Sequence, residues 1–597
     1  MKTNSFCKIV GRIEILVSCF AFTSFLLAIT AVNAQTAKNV LPTHHLHKAV
    51  ANGNSQMIGT LSTTQNLHVS IMLPLRNEAD LTSLLARLYD PSSSDYRHFL
   101  TVSQFTEMFS PTVDDYQAVV NWAQSKGFTV GDQPANRLLV PITGSVTQIN
   151  QAFNVSMKNY QHPTENRTFF APDKEPTVDL NVPLWHIAGL DNYSIPHSLY
   201  RKGDQDSIAY ANTTGSGSGG SFLGSDRRAA YYGGTTLTGV GQAIGLMEFD
   251  GYSISDVQKY FSNVGQTLNV PINNVLLDGA SAGSDGDDTE QVIDIIDAVS
   301  MAPGLSQVLV YIAPYSTLPI YGGDGDTLIF NRMATDNIAK QLSASWNWSP
   351  ADYTTNDPIF KQFAAQGQSY FNASGDYGAW PDAAYVYPEE DAYVTTVGGT
   401  VLTTSTPGGS WESEIAWGGS NTVCLGNGSG GGISRDGITI PSYQQLSGVI
   451  NSSNMGSTTL RNGPDVAAEA NCDNYYCANG SCGTSLGGTS LAAPTWAGYT
   501  ALVNQQAVAV GGSTIGFLNK LIYPIGVGSN YNTDFHDIVV GDNYNYASTS
   551  LYPAVTGYDL VTGWGSPNGQ NLIEELAGIT VASVLTSTRY CSSSTRC

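Results

Sequence analysis

The sequence predicts an α/β protein: a mostly parallel, doubly wound sheet with helices on both faces, preceded by a small α+β unit. Three observations carry that prediction. After about residue 223, apolar runs such as Ala243–Met247 and Val308–Ile312 alternate with helical segments at Gln291–Ser300, Leu328–Lys340 and Pro358–Gln366. Such alternation belongs to parallel sheets, whose strands are buried on both faces. Before about residue 200 the pattern differs: His68–Leu73 reads as extended, Leu81–Tyr89 and Val113–Ser125 as helical, Leu138–Val140 as extended and Ser145–Phe153 as helical. Between the two parts, from about Gly203 to Gly224, the composition shifts. The run Thr213-Thr214-Gly215-Ser216-Gly217-Ser218-Gly219-Gly220-Ser221 reads as a flexible, exposed linker.

The N-terminus sets the compartment. Lys2, Lys8 and Arg12 precede an apolar run from Ile15 to Val32, and Val32-Asn33-Ala34 offers small residues for cleavage. This is the pattern of a secretory signal peptide cut after Ala34. The alternative, an uncleaved anchor, is weakened by Ser18, Thr23, Ser24 and Thr30 within the run. No later stretch is long and apolar enough to span a membrane. The expected division is therefore 1–34 signal peptide, 35–200 small domain, 201–222 linker, 223–577 large domain and 578–597 Ser/Thr-rich tail. At 597 residues the chain is too long for one ordinary domain. With 49 Asp+Glu against 26 Lys+Arg it has no general phosphate-binding surface, which excludes nucleic acid as a partner. Cys7 and Cys19 leave with the signal. The six others, Cys424, Cys472, Cys477, Cys482, Cys591 and Cys597, suit disulfides in a secreted chain, with their pairing open. Zinc at Cys472/Cys477/Cys482 is disfavoured, because no His lies near.

The stretch around which the chain is organised is Gly487-Gly488-Thr489-Ser490-Leu491-Ala492-Ala493-Pro494. The Gly pair permits a sharp turn and a close approach of substrate. Ser490 then opens an apolar helix, where free backbone N–H groups favour negative charge. That suits a nucleophile whose attack creates an oxyanion; a plain serine N-cap is the alternative. A serine nucleophile needs a base. Eight of the nine histidines lie in residues 35–200, and the large domain has only His536. The count points to a carboxylate base. Glu290 and Asp294 are four apart on a predicted helix, on one face, amid Val292, Ile293, Ile295 and Ile296. Two close carboxyls in a partly dry site tend to share a proton. An exposed acidic face is the alternative, as is a calcium loop from Asp285, Asp287 and Asp288, which lacks the full EF-hand pattern.

Three motifs in this order resemble the sedolisin family of serine-carboxyl peptidases: Glu290-x-x-x-Asp294 before Ala302-Pro303-Gly304, then Ser374-Gly375-Asp376, then Gly-Gly-Thr-Ser490 with Pro494. The family usually reads Ser-Gly-Thr-Ser at the serine; here Gly487 stands in the first place. Tyr96-Arg97-His98-Phe99-Leu100-Thr101, with Phe105 and Pro111, resembles the start of the family's prodomain; Asn136-Arg137-Leu138 and Gly144 resemble its middle, and Gly189-Leu190-Asp191 its end. The resemblance implies a subtilisin-like catalytic domain behind a prodomain that inhibits it and assists its folding. It implies Ser490 as nucleophile, Glu290 as general base and later acid, Asp294 hydrogen-bonded to Glu290, and Asp376 at the oxyanion. Glu248 and Trp346 match the supporting network, with Asn347 where the family has Gly. One calcium ion is implied, on the carboxylates of Asp537 and Asp559, the carbonyls of Ile538, Val555 and Gly557, and a water. The expectation is a secreted, monomeric, acid-active endopeptidase acting on proteins or peptides, free of membrane once the signal is removed. The alternatives are a subtilisin-type protease using His536 and an inactive binding protein on the same fold.

Overall fold

Strands buried at every position need cover on both faces. The computed structural model meets this in the large domain; it describes residues 39–203, 213–284, 286–314, 323–419, 424, 426–546, 548 and 550–578. The expected signal peptide, Asp285, Cys591, Cys597 and the tail beyond Gly578 lie outside the described residues. The central sheet holds eight strands: Ala243–Glu248 (β1), Ile272–Leu276 (β2), Gln307–Ile312 (β3), Gln341–Ala344 (β4), Ser369–Ala373 (β5), Thr395–Thr404 (β6), Trp411–Ala416 (β7) and Val466–Glu469 (β8). Their order is β2-β3-β1-β4-β5-β6-β7, with β8 also on β6. All pairs are parallel except β6–β7. Residues of β1, β4, β5 and β8 are buried throughout. The order reverses at β1, and in such sheets the crevice beyond the carboxyl ends of the strands is where a site forms.

Two helices fill the centre. Thr289–Met301 (α1) is buried along its whole length, and Thr489–Ala509 (α2) is apolar on all sides until its last turns. They pack on each other and on the sheet; a helix apolar all round belongs inside. The expected helix Leu328–Lys340 is instead Gly325–Asp336, because Asn337 adopts a left-handed conformation (φ 47°) and stops it. Two disulfides, Cys424–Cys472 and Cys477–Cys482, bind these cysteines, so zinc has no thiolates there.

The N-terminal part is α+β. A four-stranded antiparallel sheet orders Thr129–Val130, Leu139–Ser145, Asn66–Met72 and His186–Ala188. Its helices begin on readable caps: Thr101 and Ser145 each form a capping box with the Gln three residues on, and Thr112 accepts from the Asp115 N–H. Part of this domain has its own core around Val69, Val119, Ile142 and Phe153. Another part does not: Leu85, Leu88, Tyr89, Phe105 and Phe109 belong to the same apolar cluster as Phe360, Phe363, Phe517 and Leu518 of the large domain. The Phe99 ring lies where a side chain on Gly367 or Gly516 would have to be. The seam is hydrogen-bonded as well. Tyr89 donates to the Ala364 carbonyl (2.7 Å) and accepts from Phe517 N–H (2.8 Å), and buried Asn136 donates to Asn331 (2.7 Å) and Gln362 (2.9 Å).

The span 201–222 corrects the linker expectation in its described residues. Arg201–Lys202 pairs antiparallel with Leu486–Gly487. Thr214 bonds Thr404, and Ser216 bonds Asp226 through both its amide (2.8 Å) and its hydroxyl (2.6 Å). Ser221 and Phe222 are buried. A Gly/Ser composition permits a free tether, but it equally permits the close turns by which this stretch is pinned to the domain surface. Residues 204–212 lie outside the described residues.

Candidate active site

β1, β4 and β5 end side by side, and each delivers a polar side chain at its end. β1 ends on Glu248; Ser345 and Trp346 follow β4; Ser374-Gly375-Asp376 follows β5. Glu290 and Asp294 occupy the first two turns of α1, and Ser490 the first turn of α2. All are buried.

The start of α2 explains its sequence. Gly488 has φ of 115°, a region closed to most side chains. A Cβ there would lie 2.2 Å from the Leu199 carbonyl oxygen. Ser490 N–H lies in the first turn, where a helix offers no acceptor. Pro494 has no N–H to bond the Ser490 carbonyl four residues back, and Ser345 Oγ stands 3.3 Å from that oxygen instead. The same Ser345 hydroxyl donates to Asp294 Oδ1 at 2.7 Å.

Asp376 is oriented by Thr489. Its Oδ1 accepts from Thr489 N–H (2.9 Å) and Thr489 Oγ1 (2.8 Å). Its Oδ2 lies 3.2 Å from Arg201 Nε of the N-terminal part. Burial pushes this carboxyl above the usual Asp range, while Arg201 and then Thr489 pull part of the way back. Glu248 Oε2 accepts from Trp346 Nε1 at 2.9 Å, and burial lifts Glu248 to about 8. Burial also lifts Glu290 and Asp294 well above their ordinary values; Glu248 adds to both, and the Ser490 hydroxyl beside Glu290 works the other way. Three carboxyls this close in a dry site hold protons between them.

Glu290 Oε2 accepts from the backbone N–H groups of Leu199 (2.7 Å) and Tyr200 (3.1 Å). Glu290 Oε1, Asp294 Oδ2 and Ser490 Oγ are left buried without a hydrogen bond among the described residues. Sequence reasoning did not assign roles to Ser345 and Thr489. Their signal was adjacency: each directly precedes an assigned residue, Trp346 or Ser490.

Elsewhere, His536 stacks on Trp411 at 3.8 Å in a short strand paired with Ser566–Pro567, and burial lowers it to about 4. Among the described residues no hydrogen bond or ion pair joins its ring to Ser490 or a carboxylate. Asp287 and Asp288 are taken up by Thr289, Asn479, Tyr200 and Ser253. Asp537 and Asp559 come together on one loop: Gly557 N–H donates to Asp537 (3.1 Å) and Val555 N–H to Asp559 (3.0 Å).

Comparison with known proteins follows the same lines. The family model described as "Pro-kumamolisin, activation domain" matches residues 53–199. Xanthomonalisin from Xanthomonas sp. (strain T-22) is 29% identical over 596 residues, spanning 90% of this chain and 69% of that protein. Kumamolisin from Bacillus sp. (strain MN-32) is 28% identical over 539 residues, spanning 87% of this chain and 93% of that one. A solved Pseudomonas sedolisin, titled a serine-carboxyl proteinase complexed with pseudo-iodotyrostatin, matches at 28% identity with a TM-score of 0.50, covering 62% of this chain and 100% of that one. Over most of its length the chain is similar to peptidases of the sedolisin family. It is a serine-type endopeptidase, with an activation domain in residues 53–199.

Proposed function

We propose that this chain is the zymogen of a secreted, acid-active endopeptidase that processes itself. The observation that supports this reading is the setting of Ser490: Glu290 beside its hydroxyl, and Asp376 fixed by the neighbouring Thr489. Ser490 Oγ attacks a peptide carbonyl and passes its proton to Glu290. The protonated Asp376 carboxyl, through its O–H, and Ser490, through its N–H, donate hydrogen bonds to the oxyanion. Glu290 then returns the proton to the leaving nitrogen, and water completes the cycle with Glu290 again as base. Asp294 positions Glu290 electrostatically and is itself held by Ser345. Glu248, bonded to Trp346, keeps its proton and adds no charge to the group. Asp376 donates only while protonated, so activity is expected on the acid side of its titration.

Calcium fits the Asp537–Asp559 loop. Both carboxylates are hard oxygen donors, Asp559 is fully buried, and neither has a cationic partner among the described residues. Ile538, Val555 and Gly557 would lend carbonyls. The ion would supply stability there, not chemistry. The N-terminal sequence supports secretion, and no helix among the described residues is long and apolar enough to cross a membrane.

The test is incubation of the purified full chain at acidic pH, with gel analysis over time. Wild type is expected to lose the activation domain while Ser490→Ala stays whole. If Ser490→Ala is processed just as fast with no other protease present, self-cleavage is wrong.

A further inference from the structure

The stretch His197–Gly203 runs through the site as a bound peptide. On one side His197–Ser198 pairs antiparallel with Trp346–Asn347, and Leu199 N–H continues the ladder to the Ser345 carbonyl at 3.1 Å. On the other side Arg201–Lys202 pairs with Leu486–Gly487, and Gly203 N–H donates to the Ser485 carbonyl at 2.8 Å. Side chains clamp both flanks. His197 stacks on Tyr385 at 4.0 Å, Tyr200 donates to Asp287 at 2.5 Å, and the Arg201 guanidinium lies 4.3 Å over the Tyr377 ring. Leu199 is fully buried.

Between the two ladders only one peptide bond meets the demands of acyl transfer. The leaving nitrogen must face the acid, and Tyr200 N lies 3.1 Å from Glu290 Oε2. The carbonyl oxygen must face the oxyanion donors. The Leu199 oxygen and Asp376 Oδ2 both border the Gly488 Cα, since a Cβ there would meet them at 2.2 and 2.9 Å. Leu199 N lies nearer still to Glu290 Oε2 (2.7 Å) while also donating to the Ser345 carbonyl (3.1 Å), so it is the place of the Leu199 carbonyl that selects the bond after it. One charged group of this stretch reaches the machinery: Arg201, paired with Asp376 Oδ2.

We infer that Leu199–Tyr200 is the first bond this chain cuts in itself, and that Arg201 delays the cut by holding Asp376 in its ionised, non-donating form. The inference rests on the proposed roles of Ser490, Glu290 and Asp376. The Ser490 Oγ–C bond forms at Leu199, with the hydroxyl proton going to Glu290. The Leu199 C–Tyr200 N bond then breaks as that proton moves to the Tyr200 nitrogen. Water attacks the ester and releases the Leu199 carboxyl and free Ser490. The charged groups facing Asp376 are Arg201 and, from α1, Glu290; Thr489 adds neutral donors. While Asp376 is ionised, Arg201 is attracted to it and the oxyanion lacks its donor. Acid protonates Asp376, dissolves the ion pair and supplies the donor in one step.

The experiment follows the earliest products of the purified full chain by mass and N-terminal sequencing, across a series of pH values. The expected first cut leaves one fragment ending at Leu199 and another beginning at Tyr200. A first cut at another bond, still dependent on Ser490, overturns the assignment and leaves the proposed function standing. Processing that survives in Ser490→Ala overturns the proposed function itself. For the lock, the measured quantity is the pH at which half the chain is cut in a fixed time. An opposite charge at this range lowers an Asp pKa by roughly 1–3 units, so Arg201→Ala is expected to raise that pH by a comparable amount. Arg201→Lys keeps the charge and is expected to move it far less. In an Asp376→Asn background Arg201→Ala is expected to move it no further, because nothing titrates. An unchanged or lowered midpoint in Arg201→Ala, or an equal shift in the Asn background, overturns the lock.

Discussion

The sharpest test of the mechanism is at Asp376. Its two oxygens are not equivalent. Oδ1 receives two hydrogen bonds from Thr489, so the proton of the neutral form belongs on Oδ2, the oxygen toward the cleft. Asp376→Asn can keep its carbonyl on Thr489 and place its NH2 at the Oδ2 position. It retains a donor but loses the titration. Asp376→Ala loses the donor, which for an oxyanion contact costs roughly 2.7–4 kcal/mol of barrier, about 10²–10³ in kcat. It also leaves two buried Thr489 donors without an acceptor, at roughly 1–3 kcal/mol of stability each. The two costs separate experimentally: the first lowers kcat per folded molecule, the second lowers Tm. The assay is kcat and kcat/KM on a peptide between about pH 2 and 8, on chains activated by a trace of wild-type enzyme. Free Asp and Glu titrate near 3.9 and 4.3, and burial raises Asp376. Wild type is therefore expected to give a bell below neutrality, falling as pH rises through the Asp376 pKa. Asp376→Asn is expected to lose less than Ala and to move the alkaline limb upward. Full wild-type activity at pH 8, with a single limb near 6.5 that vanishes in His536→Ala, would refute the reasoning.

Three further outcomes are expected. Glu248→Gln, which copies the neutral form that burial favours, should keep most of the activity, whereas Glu248→Ala leaves Trp346 Nε1–H without its acceptor and should lose more; equal losses in kcat at pH 4 would remove Glu248 from the network. Excess chelator should lower the Tm of the processed enzyme, by removing up to RT ln(1 + [L]/Kd) of stability, about 2.7 kcal/mol at a hundredfold excess over Kd, with Asp537→Ala and Asp559→Ala doing the same; an unmoved Tm argues against calcium. The activation domain should loosen in acid: burial depresses His47 to about 4 and lowers His45 and His186, so the unfolded state takes up more protons as pH falls below about 6.5, and stability is lost from there toward about 4, roughly 3 kcal/mol from His47 alone. Amide exchange of residues 40–190 in uncut Ser490→Ala chain at pH 7 and pH 4.5 reads this directly, and equal protection at both would contradict it.

Much of the site was legible because its residues sit in short local motifs. Glu290 and Asp294 share a helical face, and Asp376 and Ser490 follow glycines that only a tight approach requires. The doubly wound sheet was legible from the apolar runs at β1 and β3. What the sequence hides is pairing between distant residues. Nothing local in Arg201 or Leu199 announces a strand partner at Leu486–Gly487 or an acceptor on Glu290. The Gly/Ser run at 213–221 was misread for the same reason, since its bonds to Thr404 and Asp226 are tertiary. The end of the helix before β4 was placed too late because Asn337 is a weaker stop signal than Gly.

The shared apolar seam between the two domains has a kinetic meaning. Cutting one peptide bond removes none of the contacts of Tyr89, Phe99, Phe105 or Asn136 with the catalytic domain. On the proposed self-cleavage, the severed domain starts out as a tightly held product. Activity toward other proteins therefore begins only when that domain dissociates or is digested, and its appearance after acidification should trail the cut by a measurable lag. Once it departs, the socket at Gly367 and Gly516 that received Phe99 opens to solvent, a dent with no side chain of its own to fill it. The finished enzyme thus carries on its surface the imprint of the segment that first kept it closed.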